Sequence, residues 1–193
     1  MKQGCPLSPT LFGIFIDELE SFLRAHTNAD DGCLLHKVLI SILLFADDVI
    51  LLASIAKGLQ HQLDALADFC TLRQLSVNLA KIKVMVFNTT KEVASHLHFH
   101  IQGRTIEITT SYVYLGVLFT GPTFQMKLAA QSRICKGYAA LSLLERSCFR
   151  AHFKDIPFQM KIFDTLVRPT ITYGSKIWGP SLGPTEWSHV ERV

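Results

Sequence analysis

The chain has 193 residues, 49% of them hydrophobic and 18% charged, with a formal net charge of +3. That much apolar sequence excludes a disordered tail, and the length suits a buried core for one domain or for part of a larger one. Five scattered cysteines without a CxxC pair exclude a disulfide scaffold and a zinc ribbon, and point to a reduced setting inside the cell, nuclear or cytoplasmic.

Ser8 and Pro9 suit the cap and first position of a helix. Leu11, Phe12, Phe15, Leu19, Phe22 and Leu23 then recur at helical spacing along one stripe, until polar residues 27–32 end it. Residues 38–45 read VLISILLF, short and β-branched, and predict a buried strand; residues 49–54 resume the apolar run after Ala46-Asp47-Asp48. The pattern is two strands joined by an acidic turn. The two aspartates also break the nearest approach to a membrane-length apolar run, which needs about 18 residues. Neither a membrane span nor a secretory signal is expected, since Pro6 and Pro9 follow Met1 almost at once.

A second helix is predicted over residues 57–73, with Leu59, Leu63, Leu66 and Cys70 on its buried face. Residues 81–87 (KIKVMVF) read as a strand, and residues 97–101 and 105–109 alternate about Gln102-Gly103 as a hairpin. Residues 112–119 (YVYLGVLF) read as one further strand. Beyond Pro122 the sequence turns helical, over 123–145 and 157–167, whereas residues 173–184, rich in Gly, Pro and aromatics, read as irregular. The change near Gly121-Pro122 divides a mixed front, 1–121, from a helical back, 122–193.

The adjacent carboxylates Asp47 and Asp48 carry the clearest chemistry, because ionised groups set between apolar strands require a partner or an outlet to water. Magnesium takes oxygen ligands and commonly only one or two protein carboxylates, with water and substrate phosphate completing its shell. An exposed hairpin turn gives the same pattern, since aspartate bonds readily to turn backbone. His96, His98 and His100 share one strand face, a conceivable zinc set, but the alternating Leu97, Phe99 and Ile101 are what a half-exposed strand requires anyway. Charge is uneven: residues 1–80 hold five Lys/Arg against nine Asp/Glu, and residues 81–193 hold fourteen against seven. A basic back half carrying Lys127, Arg133, Lys136, Arg146, Arg150 and Lys154 suits phosphate, or is simply a solvated helix face. Tyr112, Tyr114, Tyr173, Trp178 and Trp187 are candidates either for stacking on bases or for packing.

The order QGCPLSPTLF (3–12), FADDVILLA (45–53), LSVNLAKIKVMVF (75–87) and YLGVLF (114–119) resembles the reverse transcriptases of non-LTR, LINE-type retrotransposons, as palm motifs B, C, D and E. FDTLVRPTITYGSKIWG (163–179) resembles the segment that follows the palm in these elements. The resemblance implies an α+β fold: a partial polymerase palm, antiparallel sheet backed by helices, over 1–121, then a mostly helical thumb-like segment over 122–193. It implies that Asp47 and Asp48 are the catalytic, metal-binding acids of motif C. Gln3 and Gly4 then sit against the incoming nucleotide and template, Lys81 protonates the departing pyrophosphate, and Leu115 and Gly116 support the primer end. The implied cofactor is Mg2+, or Mn2+; the implied partners are an RNA template, a DNA primer and deoxynucleoside triphosphates. One departure is visible: the family usually reads NxxKT where this chain has Asn78 to Ile82, without the hydroxyl.

Two-metal phosphoryl transfer in this family also uses an aspartate of motif A, which precedes motif B, and Asp17 does not match it. The expectation is therefore a reverse transcriptase fragment that does not polymerise DNA unaided, with an apolar sheet face left uncovered, unless a separate chain supplies motif A. The alternative is a non-catalytic nucleic-acid-binding remnant that uses the basic back half alone.

Overall fold

The computed structural model describes residues 6–28, 31–88, 96–121 and 125–192. Gln3, Gly4 and Cys5 lie outside them, as do Pro122 and Thr123. The chain divides into two units: Met1–Val84 with Glu92–Ile108, and Met85–Lys91 with Thr109–Val193. Helices and small antiparallel sheets make up both, so the α+β class holds.

In the first unit the long predicted opening helix is two: α1 (Ser8–Ile16) and α2 (Glu18–His26), with Asp17 between them. Pro9 lies in the first turn of α1, but Leu7 rather than Ser8 holds the cap position. A short hairpin follows, β1 (Cys33–Leu35) and β2 (Val38–Ile40), turning through His36 and Lys37, both at positive φ. After Ser41, β3 (Ile42–Phe45) pairs antiparallel with β4 (Asp48–Leu51). The single buried strand expected over 38–45 is thus two strands of different hairpins, and most of it is exposed: Val38 at 61%, Phe45 at 57%. Helix α3 (Ala56–Leu72) buries Leu63, Ala65, Phe69 and Cys70.

The core of this unit joins Ile16, Leu19 and Leu23 to Ile42, Ala65 and Phe69, with Val49, Leu51 and Leu66 packed at its margin. Burial of such side chains contributes about 1.5–3 kcal/mol each. Arg73, just past α3, forms an ion pair with Glu18 of α2. A three-stranded sheet completes the unit in the order β5-β7-β6: β5 (Lys83–Met85), β6 (Phe99–Ile101) and β7 (Arg104–Thr109). The β6–β7 hairpin turns at Gln102-Gly103 as expected, both at positive φ, the type I′ pattern. The outer edge of β6 is closed by one side chain. Gln60 donates to the His100 carbonyl at 2.9 Å and accepts from its N–H at 3.0 Å. Of His96, His98 and His100, expected on one strand face, only His100 lies in β6, and among the described residues no group of three or more His, Cys, Asp or Glu gathers to hold a metal.

In the second unit the single strand expected over 112–119 is a hairpin, β8 (Ser111–Tyr114) and β9 (Val117–Thr120), turning at Leu115-Gly116. Helix α4 (Met126–Arg150) follows, and α5 (Ile156–Ile162) leads through one π turn (Phe163–Val167) into α6 (Arg168–Thr172). Residues 173–184 are more ordered than their Gly and Pro content predicts. They form α7 (Ser175–Trp178) and a 3-10 turn (Gly179–Ser181), before α8 (Pro184–Glu191). The prolines there stand in first turns of helices, where a missing N–H costs nothing. Trp178, Val117, Met126, Ala129 and Ala130 form the core. Lys127 of α4 donates to Glu186 of α8 at 2.7 Å, and this contact, first among its causes, lowers the Glu186 pKa.

Candidate active site

The register of the β3–β4 hairpin decides where its acids point. Ile42 faces Leu51 and Leu44 faces Val49, while Leu43 faces Ile50 and Phe45 faces Asp48. Paired residues share a face and neighbours alternate. Ile42, Val49 and Leu51 pack on the helices, so Asp48 belongs with Phe45, Leu43 and Ile50 on the opposite face. Asp47 occupies the turn itself, and both aspartates are exposed. Among the described residues neither carboxylate enters a salt bridge or a side-chain hydrogen bond.

The turn is strained. Ala46 has φ +52°, a region where a Cβ crowds the following carbonyl at a cost of about 1 kcal/mol. Of the two turn residues only the first has positive φ, and glycine is the usual occupant of that position. The hairpin is secured at its other end. Leu52 N–H bonds the Ser41 carbonyl at 2.8 Å. The Gln62 side-chain amide, fully buried on α3, donates to the Leu52 carbonyl at 2.9 Å and the Asp31 carbonyl at 2.8 Å.

Asp31 is itself buried at 4% exposure. Its carboxylate accepts from the Asn28 N–H at 2.8 Å and from His61 Nδ1–H at 3.0 Å. Burial pushes the Asp31 pKa up, but the Asn28 N–H and the His61 ring more than offset it, and the carboxyl sits below its ordinary value. Neither Gln62 nor Asp31 stands out in the sequence. Gln62 lies one residue before the predicted core position Leu63, and only the fold shows that it faces inward.

Lys81 is exposed in the turn that ends before β5, its N–H bonded to the Asn78 carbonyl at 3.0 Å. Gln3 and Gly4 are outside the described residues. Two exposed, unpaired carboxylates are the hard oxygen donors that magnesium takes, and so fit part of such a site. No third acid joins them among the described residues.

The other sequence-marked pair, Leu115 and Gly116, forms the β8–β9 turn with φ of +44° and +76°. Its two carbonyls are held from elsewhere in the same unit. The Tyr173 hydroxyl donates to the Leu115 carbonyl at 2.8 Å, and Arg133 Nη2 donates to the Gly116 carbonyl. The Arg133 guanidinium lies over the Tyr173 ring, 4.4 Å from its centre. A Cβ on Gly116 would meet Arg133 Nη2 at 2.9 Å and Tyr173 Cε1 at 3.2 Å. Gly174, at φ +71°, lets the following backbone pass so near that a Cβ there would meet Val117 Cγ2 at 2.9 Å. The Trp178 indole N–H bonds the Tyr173 carbonyl at 3.0 Å. Of the aromatics considered for base stacking, Trp178 is therefore a core residue and Tyr173 has its hydroxyl engaged.

Comparison with known proteins gives this arrangement its class. The sequence profile of the reverse transcriptase (RNA-dependent DNA polymerase) family matches residues 1–119, and the chain belongs to that family. It is similar to the retrovirus-related Pol polyprotein of the type-2 retrotransposable element R2DM of Drosophila melanogaster, 32% identical over 127 residues. That match covers 62% of this chain and 12% of the relative. It is also similar to the Pol polyprotein of the type-1 retrotransposable element R2 of Popillia japonica, 38% identical over 81 residues, 42% of this chain and 11% of the relative. These relatives place it with the non-LTR, LINE-type enzymes, and it spans only a small part of their length. No solved structure gives a significant match. No helix among the described residues is long and apolar enough to cross a membrane.

Proposed function

We propose that this chain is the catalytic-hairpin portion of an RNA-directed DNA polymerase, residues 1–121 belonging to its palm and 122–193 to a thumb-like segment. Asp47 and Asp48 are the residues that would hold Mg2+, or Mn2+, which when bound activates the primer hydroxyl and neutralises charge on the phosphates. The primer 3′ oxygen forms a bond to the α-phosphorus of a deoxynucleoside triphosphate, and pyrophosphate leaves. Lys81 supplies a proton to the departing pyrophosphate, Gln3 and Gly4 adjoin the nucleotide and template, and the Leu115-Gly116 turn supports the primer end. The observation that carries this reading is the β3–β4 hairpin, which exposes two carboxylates, unpaired among the described residues, at one end and is tied to α3 by Gln62 at the other.

Residues 1–193 by themselves are proposed not to extend a primer, because two cations need a further carboxylate and none stands with Asp47 and Asp48 among the described residues. The test is primer extension on an RNA template with magnesium or manganese. It is run with this chain, and with a chimera in which it replaces the matching stretch of the Drosophila melanogaster polyprotein, each with and without Asp47→Asn. The expected result is no extension by the chain alone and Asp47-dependent extension by the chimera. Extension by the chain alone that vanishes in the variant keeps the site and removes its incompleteness. A chimera indifferent to Asp47→Asn removes the site.

The non-catalytic alternative rests on the basic back half. Steep weakening of RNA binding by salt, with no change in Asp47→Asn and no extension by the chimera, would favour it.

A further inference from the structure

The Leu115-Gly116 turn is built from an unfavourable backbone. Leu115 has a positive φ, and two four-residue strands, β8 and β9, are marginal as an isolated hairpin. Such a tip keeps one shape only if something outside the hairpin holds it. Both turn carbonyls are taken by donors from distant sequence, Arg133 on α4 and Tyr173 after α6. The two holders touch, the Arg133 guanidinium carbon lying over the Tyr173 ring. Tyr173 is in turn fixed by the Trp178 indole through its own carbonyl. The turn and its holders stand so close that a Cβ on Gly116 would make Arg133 or Tyr173 shift. Hydrogen bonds to two successive carbonyls orient the whole turn, whatever its side chains are.

We propose that Arg133 and Tyr173 are positioning residues that lock the Leu115-Gly116 turn in the one pose able to support a recessed primer 3′ end, and so join that turn rigidly to α4. This rests on the reading of the turn as primer support. The planar Arg133 guanidinium both reaches the Gly116 carbonyl and covers the Tyr173 ring, a pairing that a lysine ammonium does not reproduce.

The full chain is studied as wild type, Tyr173→Phe and Arg133→Lys, with far-UV circular dichroism and urea midpoints as folding controls. Hydrogen exchange at residues 115–117 of the free protein reads the turn. Binding reads the primer role, as the ratio of affinities for a DNA primer recessed on an RNA template and for a blunt RNA–DNA duplex of the same length. Losing one net hydrogen bond corresponds to roughly a fivefold change. Each variant is expected to raise exchange in the turn by about fivefold or more and to lower the recessed-over-blunt preference by a similar factor. The salt dependence of Arg133→Lys should stay that of the wild type.

Unchanged exchange in both variants overturns the clamp. Raised exchange with the preference intact makes the clamp structural only and overturns the positioning role. A wild type without preference for the recessed end removes the primer reading, and the proposal with it. Because exchange is read on the free chain, that failure is separable from a failed clamp.

Discussion

The two hairpins that the sequence motifs mark are secured at opposite ends. In β3–β4 the base is fixed, by Gln62 and by packing of Ile42 and Leu51, while the carboxylates of Asp47 and Asp48 at the tip have no side-chain partner among the described residues. In β8–β9 the tip itself is fixed, with both turn carbonyls bonded and Val117 in the core. The difference follows the chemistry proposed for each. Carboxylates that take up a cation must stay open to solvent and keep their lone pairs free. A turn that supports a strand by its backbone serves best when that backbone cannot move.

The strain is also distributed differently. Ala46 carries its left-handed conformation at an exposed tip, whereas Leu115 lies beside a glycine in a turn held by two outside donors.

The largest change should come from removing what stands behind the held tip. Trp178→Ala deletes a core indole and the donor to the Tyr173 carbonyl. A loss of about 3–5 kcal/mol is expected, read as a lower urea midpoint. The matching blow to the other hairpin is Gln62→Leu, which leaves the buried Asp31 carbonyl and the half-buried Leu52 carbonyl without their donor. A cost of about 2 kcal/mol is expected, with faster hydrogen exchange at residues 42–52. Equal exchange there in variant and wild type would mean that packing alone holds the hairpin base.

Smaller and opposite effects are expected at the tips. Gly116→Ala meets Arg133 and Tyr173 at a positive φ and should cost about 1–2 kcal/mol. Ala46→Gly relieves the strained residue in the open tip and should stabilise by up to about 1 kcal/mol. Thermal melting of the pair checks the signs, and a destabilising Ala46→Gly would show that this turn is not under strain.

The smallest effect concerns pH. The folded-state pKa of Asp31 is lowered, so its contribution is present above the unfolded carboxyl value, about 3.9, and is lost as pH falls through the folded value. Asp31→Asn should flatten this acid limb of stability. An unchanged limb in the variant would assign acid sensitivity to other groups.

Much of this was legible locally. The Gln102-Gly103 hairpin, the buried face of α3 and the acidic turn between apolar strands all depend on residues a few positions apart, and the alternation or periodicity that forms them is written in the same few residues. The β8–β9 turn was not legible, because Leu before Gly is a weak turn signal and the conformation is held by Tyr173, 58 residues away. The 38–45 run misled for a related reason. Its continuous apolarity resembles a buried strand, but Ser41 separates two hairpins and alternate residues of β3 face away from the core.

The sequence by itself determined the family, through four short motifs in a fixed order, and the acidic turn between apolar strands that carries Asp47 and Asp48. Only the tertiary structure decided which tip is open and which is held, and that Gln62, Asp31, Arg133 and Tyr173 do the holding. The physical reason is that a hydrogen bond to a backbone carbonyl leaves no trace in the identity of the residue that accepts it.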